Sequence, residues 1–335
     1  MDTATHVVMG AALGGLAISI DPVVAETTVN TNSIFIAAMI GSQIPDIDTV
    51  LKLKNNAIYI RNHRGITHSL PAVLLWPILL TLSLLLFYPE ANFFHLWLWS
   101  FIAVFLHVFV DIFNAYGTQA LRPLSKKWVA LGVINTFDPF IFGIHLVAIL
   151  LWAIGLDGMY TFLTMYSFIF IYYLLRFLMK AIVQSAIKKT LPSDEVVEKM
   201  IVAPTMRLNQ WRIAVITKEH YYVGRAYGRS ITMFDKFERQ VIPNTPMIQA
   251  AREDKNVSAF LSFSPVYRFK ITELADGTFE VRFIDLRYRS NGHYPFVAIV
   301  HLDQQLEMIT SYTGWIFSEE KLRKKLNLKS DSLNI

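Results

Sequence analysis

Residues 96–113, LWLWSFIAVFLHVFVDIF, are apolar except for Ser100, His107 and Asp111. As a helix this run is about 27 Å long, enough to approach the ~30 Å hydrocarbon core of a bilayer. It reads as a membrane span. Ionisable groups at membrane depth are expensive unless paired, solvated or bound to metal, so His107 and Asp111 read as functional. Their i,i+4 spacing puts them on one helix face.

Five further apolar runs lie at 5–20, 33–44, 66–88, 137–154 and 160–183. The last four of the six are long enough to span. The first two are shorter, the second only about 18 Å as a helix, so they form either two crossings or a re-entrant pair. Lys52, Lys54, Arg61 and Arg64 follow the second run, Arg122, Lys126 and Lys127 follow the fourth, and Lys180, Lys188 and Lys189 close the sixth. The alternate loops hold Asp21 and Glu26, then Glu90, then Asp157, and no Lys or Arg. By the positive-inside rule the basic loops are cytoplasmic, which gives a multi-pass cell-membrane protein with both termini inside. The start, Met1 to His6, lacks a basic n-region, so the first run is expected to be retained.

The whole chain of 335 residues is 53% hydrophobic and 17% charged, too apolar for an ordinary soluble protein. The excess lies before Lys188. The expected fold class is therefore an α-helical polytopic membrane domain, residues 1–187, followed by a small, mostly-β cytoplasmic domain, residues 188–335. In the second part strands are expected over 212–222, 267–274 and 279–287, the last two joined by a hairpin at Ala275-Asp276-Gly277-Thr278. A strand pair at 296–302 and 307–312 and a basic helix at 318–326 complete it. The net charge of +5 is modest. Basic residues read as topology signals and contacts with the lipid bilayer; nucleic acid is the weaker reading, and Trp211 and Arg212 look like exposed packing or lipid-surface contacts.

With no cysteine, any metal site must be built from nitrogen and oxygen ligands. The topology brings His6, Asp46, Asp48, His63, His68, His107 and Asp111 to one face, with Asp138 an eighth candidate. Asp46 and Asp48 follow Pro45, so an extended segment would point both carboxylates the same way. Gly10 and Gly14 share a stripe with His6 and would let a neighbouring helix approach. Each residue has an ordinary alternative: a turn cap for Asp46 or Asp48, a headgroup-level ring for His63, a structural hydrogen bond for His107 with Asp111. His95 falls on the opposite face, and His145 lies about two turns into the fifth run. His220, His293 and His301 belong to the β domain. Arg64 and Arg122 flank the site and could offer planar donors to a phosphate.

Four fragments now stand together: Thr5-His6; Pro45-Asp46-Ile47-Asp48; His63-Arg64-Gly65-Ile66-Thr67-His68-Ser69; and His107-Val108-Phe109-Val110-Asp111. In this order they resemble the YdjM/YfhP-type family of membrane-bound metal-dependent hydrolases, also described as LexA-binding inner-membrane-associated proteins. The resemblance covers roughly residues 1–185. It implies distant kinship with zinc-dependent phospholipase C and P1-type nucleases. It further implies that His6, Asp46, His63, His68, His107 and Asp111 are metal ligands, with Asp48 a ligand or a partner to one. The sequence offers no counterpart to the amino-group ligand or the further downstream His and Glu ligands of those soluble enzymes, so one or two ions are expected. The divalent metal is zinc before manganese or iron.

The function this implies is metal-dependent hydrolysis of a phosphoester, such as a phospholipid or lipid-linked phosphate, at the cytoplasmic face. Asp48 or Asp111 would orient the attacking water or take its proton, and Arg64 would hold the phosphate. The rival is a non-catalytic scaffold whose His/Asp cluster is structural and whose β domain binds a regulatory protein. A transporter is weaker, because the ionisable residues gather at one face instead of marking a path across.

Overall fold

The structure, a computed structural model, describes residues 1–326. All six apolar runs are helical. In chain order the first part comprises α1 (Thr3–Ile20), α2 (Pro22–Glu26), α3 (Thr28–Gly41), a 3₁₀ helix over Ile44–Leu53, α4 (Asn56–Asn62), a 3₁₀ turn over Ile66–His68, α5 (Leu70–Leu85), α6 (Phe93–Asp111), α7 (Pro139–Ala153) and α8 (Gly158–Thr190). Side-chain caps set the starts. Asp2 accepts from Ala4 N, Ser69 from Ala72 N, Asn92 from His95 N, and Asp138 from Phe140 N and Ile141 N.

Among the described residues α1, α6 and α8 are long and apolar enough to cross a membrane. Two bent pairs raise that number to five: α3 with the following 3₁₀ helix, at 48°, and Asn56–His68 with α5, at 72°. The helix α7 is shorter than the apolar run it comes from. Pro139 behind the Asp138 cap fixes its start, and Gly155 at φ 96° ends it, leaving 15 residues or about 22 Å.

Two faces divide α6. Trp97, Phe101, Phe105, Phe109 and Phe113 recur at i+4, with successive rings 5.0–6.0 Å apart, and Phe105 and Phe109 are exposed. This aromatic ridge suits lipid. The other face, with Ser100, Ala103, His107 and Asp111, is fully buried against the bundle. Close approach of α1 and α3 completes the surroundings, as the Gly10/Gly14 stripe requires. A Cβ on Gly10 would lie 2.9 Å from Ala38 O and 2.1 Å from Ser42 Oγ, and one on Gly14 would lie 2.6 Å from the Phe35 ring. Gly10→Val is therefore expected to destabilise the protein by about 1–3 kcal/mol, the usual cost of overpacking, read as a lower melting temperature than wild type.

Two compact units divide the chain. The first contains Met1–Thr49, His63–Ile182 and Ala203–Gln210; the second contains Val50–Asn62, Val183–Val202 and the described residues from Trp211 onward. In the latter part β1 (Val197–Pro204), β2 (Gln210–Thr217), β3 (His220–Tyr227) and β4 (Ser230–Glu238) form one sheet in sequence order. After α9 (Pro246–Glu253) and α10 (Lys255–Phe263), a second sheet takes β5 (Tyr267–Glu273), β6 (Phe279–Asp285), β7 (Phe296–Leu302) and β8 (Met308–Trp315), all antiparallel, and α11 (Glu319–Leu326) follows. Phe260 of α10 packs 5.5 Å from Phe296 and 6.4 Å from Phe283, which fixes the inner face of that sheet.

The fold class is as the composition implies: apolar helices first, then a small, mostly-β domain. The hairpin at 275–278 forms with Gly277 at φ 77°, in the left-handed region that suits glycine. Two expectations need correction. The stretch 212–222 is two strands, because Lys218 and Glu219 turn the chain between β2 and β3. Trp211 is buried, since its strand has residues buried on both faces.

Candidate metal centre

Four donor atoms converge at the end of the buried face of α6. His107 and Asp111 come from α6 itself, Asp46 from the 3₁₀ helix after α3, and His68 from the last residue of the short 3₁₀ turn before α5. His68 Nε2 lies 3.3 Å from His107 Nε2, 3.5 Å from Asp46 Oδ1 and 3.5 Å from Asp111 Oδ2. His107 Nε2 lies 3.7 Å from Asp46 Oδ1 and 3.6 Å from Asp111 Oδ2. Ligands bonded tetrahedrally at ~2.0–2.1 Å stand roughly 3.3–3.4 Å apart, so five of the six edges approach those of a tetrahedral ion site. All four atoms lie within 4.8 Å of one another.

Local chemistry supports that fit. His107 Nδ1 donates to the Ser42 carbonyl at 2.7 Å, which leaves Nε2 as the nitrogen with a free lone pair facing the centre. Asp46 Oδ1 is buried and makes no hydrogen bond among the described residues. An acceptor in that state is costly unless something electropositive meets it. A divalent cation bound by nitrogen and oxygen fits this donor set.

Asp46 also belongs to a second group, with Asp48 and His63. Asp48 Oδ1 meets His63 Nδ1 at 2.8 Å, and Asp48 Oδ2 accepts from Thr67 Oγ1 at 2.8 Å and from Arg64 N at 2.9 Å. These bonds hold Arg64 in the left-handed region at φ 60°, unusual for a residue with a side chain. The segment with Asp46 and Asp48 is a 3₁₀ helix, not an extended strand as the proline suggested. Positions two apart then point roughly 240° around the axis from each other, which is why Asp46 faces the α6 pair while Asp48 secures the His63–Thr67 turn.

Arg64 is turned inward and only 4% exposed. Its Nε lies 3.2 Å from Asp111 Oδ2 and its Nη2 donates to the Met1 carbonyl at 2.7 Å. That geometry makes it a counter-charge to Asp111 and a tie to the start of α1. His6 stacks on His107, with ring centroids 3.7 Å apart, but its Nε2 faces Asp111 Oδ1 at 3.4 Å and the Met1 amino group at 3.1 Å. It stands beside the four-atom centre and outside it.

The Met1 amino group is itself buried and paired with Asp111 Oδ1. The sequence by itself offers no amino group to the cluster. Only the closeness of His6 to the start of the chain hinted at one. Asp138 is not part of the cluster; besides capping α7 it accepts from Tyr172 Oη at 2.9 Å. His95 pairs with Asp21 at 2.6 Å, and His145 Nδ1 bonds the Ile141 carbonyl at 2.7 Å, both apart from the centre.

Residues 1–183 match the YdjM inner membrane protein family over the stretch that carries this entire cluster. The chain belongs to the YdjM family. Residues 193–237 match the YfhP middle domain, and residues 246–326 match the YfhP C-terminal alpha/beta plait domain. A curated relative from Bacillus subtilis (strain 168), the uncharacterized protein YfhP, is 57% identical over 330 residues, covering 98% of this chain and all of the relative. No solved structure matches. As a YdjM protein the chain is a membrane protein, and its His/Asp groups are arranged so that they could bind a metal ion.

Proposed function

We propose that this YdjM protein is a membrane-bound, metal-dependent hydrolase acting on a phosphoester, such as a phospholipid or lipid-linked phosphate, at the cytoplasmic leaflet. The observation that carries this reading is the near-tetrahedral spacing of Asp46 Oδ1, His68 Nε2, His107 Nε2 and Asp111 Oδ2 around a common point. Asp46, shared with Asp48 and His63, makes room for one ion or two, zinc first and manganese or iron after it.

A bound divalent ion would bring the pKa of a water near neutrality and stabilise charge on phosphoryl oxygens. The chain's own residues do the rest. Asp48 fixes the orientation of the His63 ring through Nδ1. The Ser42 carbonyl does the same for His107. The Arg64 guanidinium balances Asp111 and keeps a cluster rich in carboxylate from repelling itself. Thr67 holds Asp48 and so the turn between His63 and His68.

In this reading six helical passes place the Lys- and Arg-rich loops and both termini inside, which brings the cluster to the cytoplasmic side. The test is the metal content of detergent-purified protein by elemental analysis, wild type beside His68→Ala/His107→Ala, with folding checked by thermal melting. One or two equivalents in the wild type and a clear loss in the folded variant are expected, followed by metal-stimulated cleavage of a phosphoester in a substrate screen. Absence of stoichiometric metal after reconstitution with each ion would leave the scaffold reading. That second reading draws on the pairing of Arg64, Met1 and Asp111, which ties α1 to α6 with no ion needed.

A further inference from the structure

The loop between α6 and α7 is an ordered hook. Its limbs are tied by a reciprocal pair of backbone bonds, Thr118 N to Val129 O at 3.1 Å and Val129 N to Thr118 O at 2.8 Å. The tip is held by Gln119 Nε2 donating to the Lys126 carbonyl at 2.8 Å and by Ser125 N donating to the Leu121 carbonyl at 3.0 Å. For all that order the tip keeps its leucines outside: Leu124 is 83% exposed and Leu121 46%. Single exposed leucines are common, so the position of the hook decides their meaning. Leu70 N bonds the Arg122 carbonyl at 3.2 Å and Gln119 N bonds the Arg64 carbonyl at 2.9 Å, which stitches the tip to the start of α5. Leu131 N and Val133 N bond back to the Ile112 and Phe113 carbonyls at the end of α6. Because α6 is long and apolar enough to span and α5 belongs to a bent pair that is, the hook stands where spans leave the hydrocarbon. Ile66 and Leu70, beside the stitch, are exposed as well.

Charge says what such a tip would meet. From Ile112 to Phe137 the chain holds Arg122, Lys126 and Lys127 and no Asp or Glu. Lys126 and Lys127 are exposed, and none of the three cations makes an ion pair among the described residues. Trp128 follows them, a residue type concentrated at headgroup level. Leucines at the tip with cations and a tryptophan behind them match, in order, acyl chains, phosphates and the headgroup boundary.

We propose that this hook is a seat for anionic phospholipid. Leu121 and Leu124 enter the acyl region of the leaflet, and Arg122, Lys126 and Lys127 gather net-negative headgroups around them. This goes beyond the positive-inside bias, which sets orientation and asks for no ordered contact. The seat is stitched to the segment that carries His68, yet it does not require the candidate metal centre to hold an ion or to be catalytic.

The absence of cysteine makes the test direct, because one introduced thiol can be labelled alone. Full-length Leu124→Cys protein, carrying an environment-sensitive fluorophore and checked for wild-type melting, is placed in mixed phosphatidylcholine–phosphatidylglycerol nanodiscs. Quenching is compared between phosphatidylglycerol and phosphatidylcholine that bear a nitroxide near the head of one acyl chain. The anionic quencher is expected to be at least about twice as effective at this position. Leu82→Cys, exposed near the other end of α5, reports the bulk lipid and should show no preference. Adding Arg122→Gln/Lys126→Gln/Lys127→Gln should bring the Leu124 ratio down to that of Leu82, as should about 1 M salt, where the screening length falls to ~3 Å. Lys126→Gln/Lys127→Gln, which changes only exposed side chains, should remove most of the preference if the triple variant fails to fold. Equal quenching by the two lipids would overturn the proposal. So would a label that neither lipid quenches, whether its emission reports water or a covering protein.

Discussion

Asp46→Asn should strip more metal from this protein than any other single substitution in the cluster, and should lower metal-stimulated phosphoester turnover by at least about 1,000-fold. Its Oδ1 stands 3.5 Å from His68 Nε2 and 3.7 Å from His107 Nε2, and the same residue completes the group with Asp48 and His63. Loss of an outer partner typically costs ~10–100-fold in affinity or activity, and a ligand shared by two groups should exceed that range. Asparagine keeps the shape but removes the charge that a divalent ion needs. Elemental analysis of Asp46→Asn, Asp48→Asn and His63→Ala proteins, run in parallel, checks this. If two ions are present, His63→Ala loses at most one while Asp46→Asn loses both. Full metal content in a folded Asp46→Asn protein would remove Asp46 from the centre.

Much of this arrangement is legible in the sequence, for reasons particular residues make plain. His107 and Asp111 share a face because helical periodicity is rigid, and they emerge on the buried face of α6. Gly10 and Gly14 announce a close helix contact because any side chain would collide with α3. The hairpin around Gly277 follows from local turn chemistry.

What stayed hidden depended on tertiary context. Pro45 argues for extended chain, yet the residues after it wind into a 3₁₀ helix that separates Asp46 from Asp48. Arg64 reads as a topology charge or a phosphate donor, and only the folded chain reveals Asp111 and the Met1 carbonyl as its partners. His6 matches a ligand position by order in the sequence, but its ring stacks on His107 and faces the Met1 amino group. The two units likewise exchange segments, Val50–Asn62 packing with the β-rich part, a pairing no local pattern encodes.

Asp111→Ala is expected to destabilise even the metal-free protein by about 3–5 kcal/mol, the usual effect of deleting one side of a buried ion pair. Asp111 is fully buried and meets the Arg64 guanidinium at one oxygen and the Met1 amino group at the other. Its removal leaves a guanidinium, only 4% exposed, without its carboxylate. For a protein this size the melting temperature should fall by roughly 10 °C, measured in chelator so that ion loss is not counted twice. Asp111→Ala/Arg64→Met supplies the control. An apolar pair of similar volume is often nearly neutral in place of a buried ion pair, so the double variant should regain at least half of the lost stability while binding no metal at the four-atom centre. A single variant that melts within about 2 °C of the wild type in chelator would show that Asp111 is held for the ion alone. A large loss with recovery in the double variant would show that the same carboxylate organises the cluster without an ion, whether or not it also serves as a ligand. Such a dual role would account for a charged residue at the end of the aromatic helix α6.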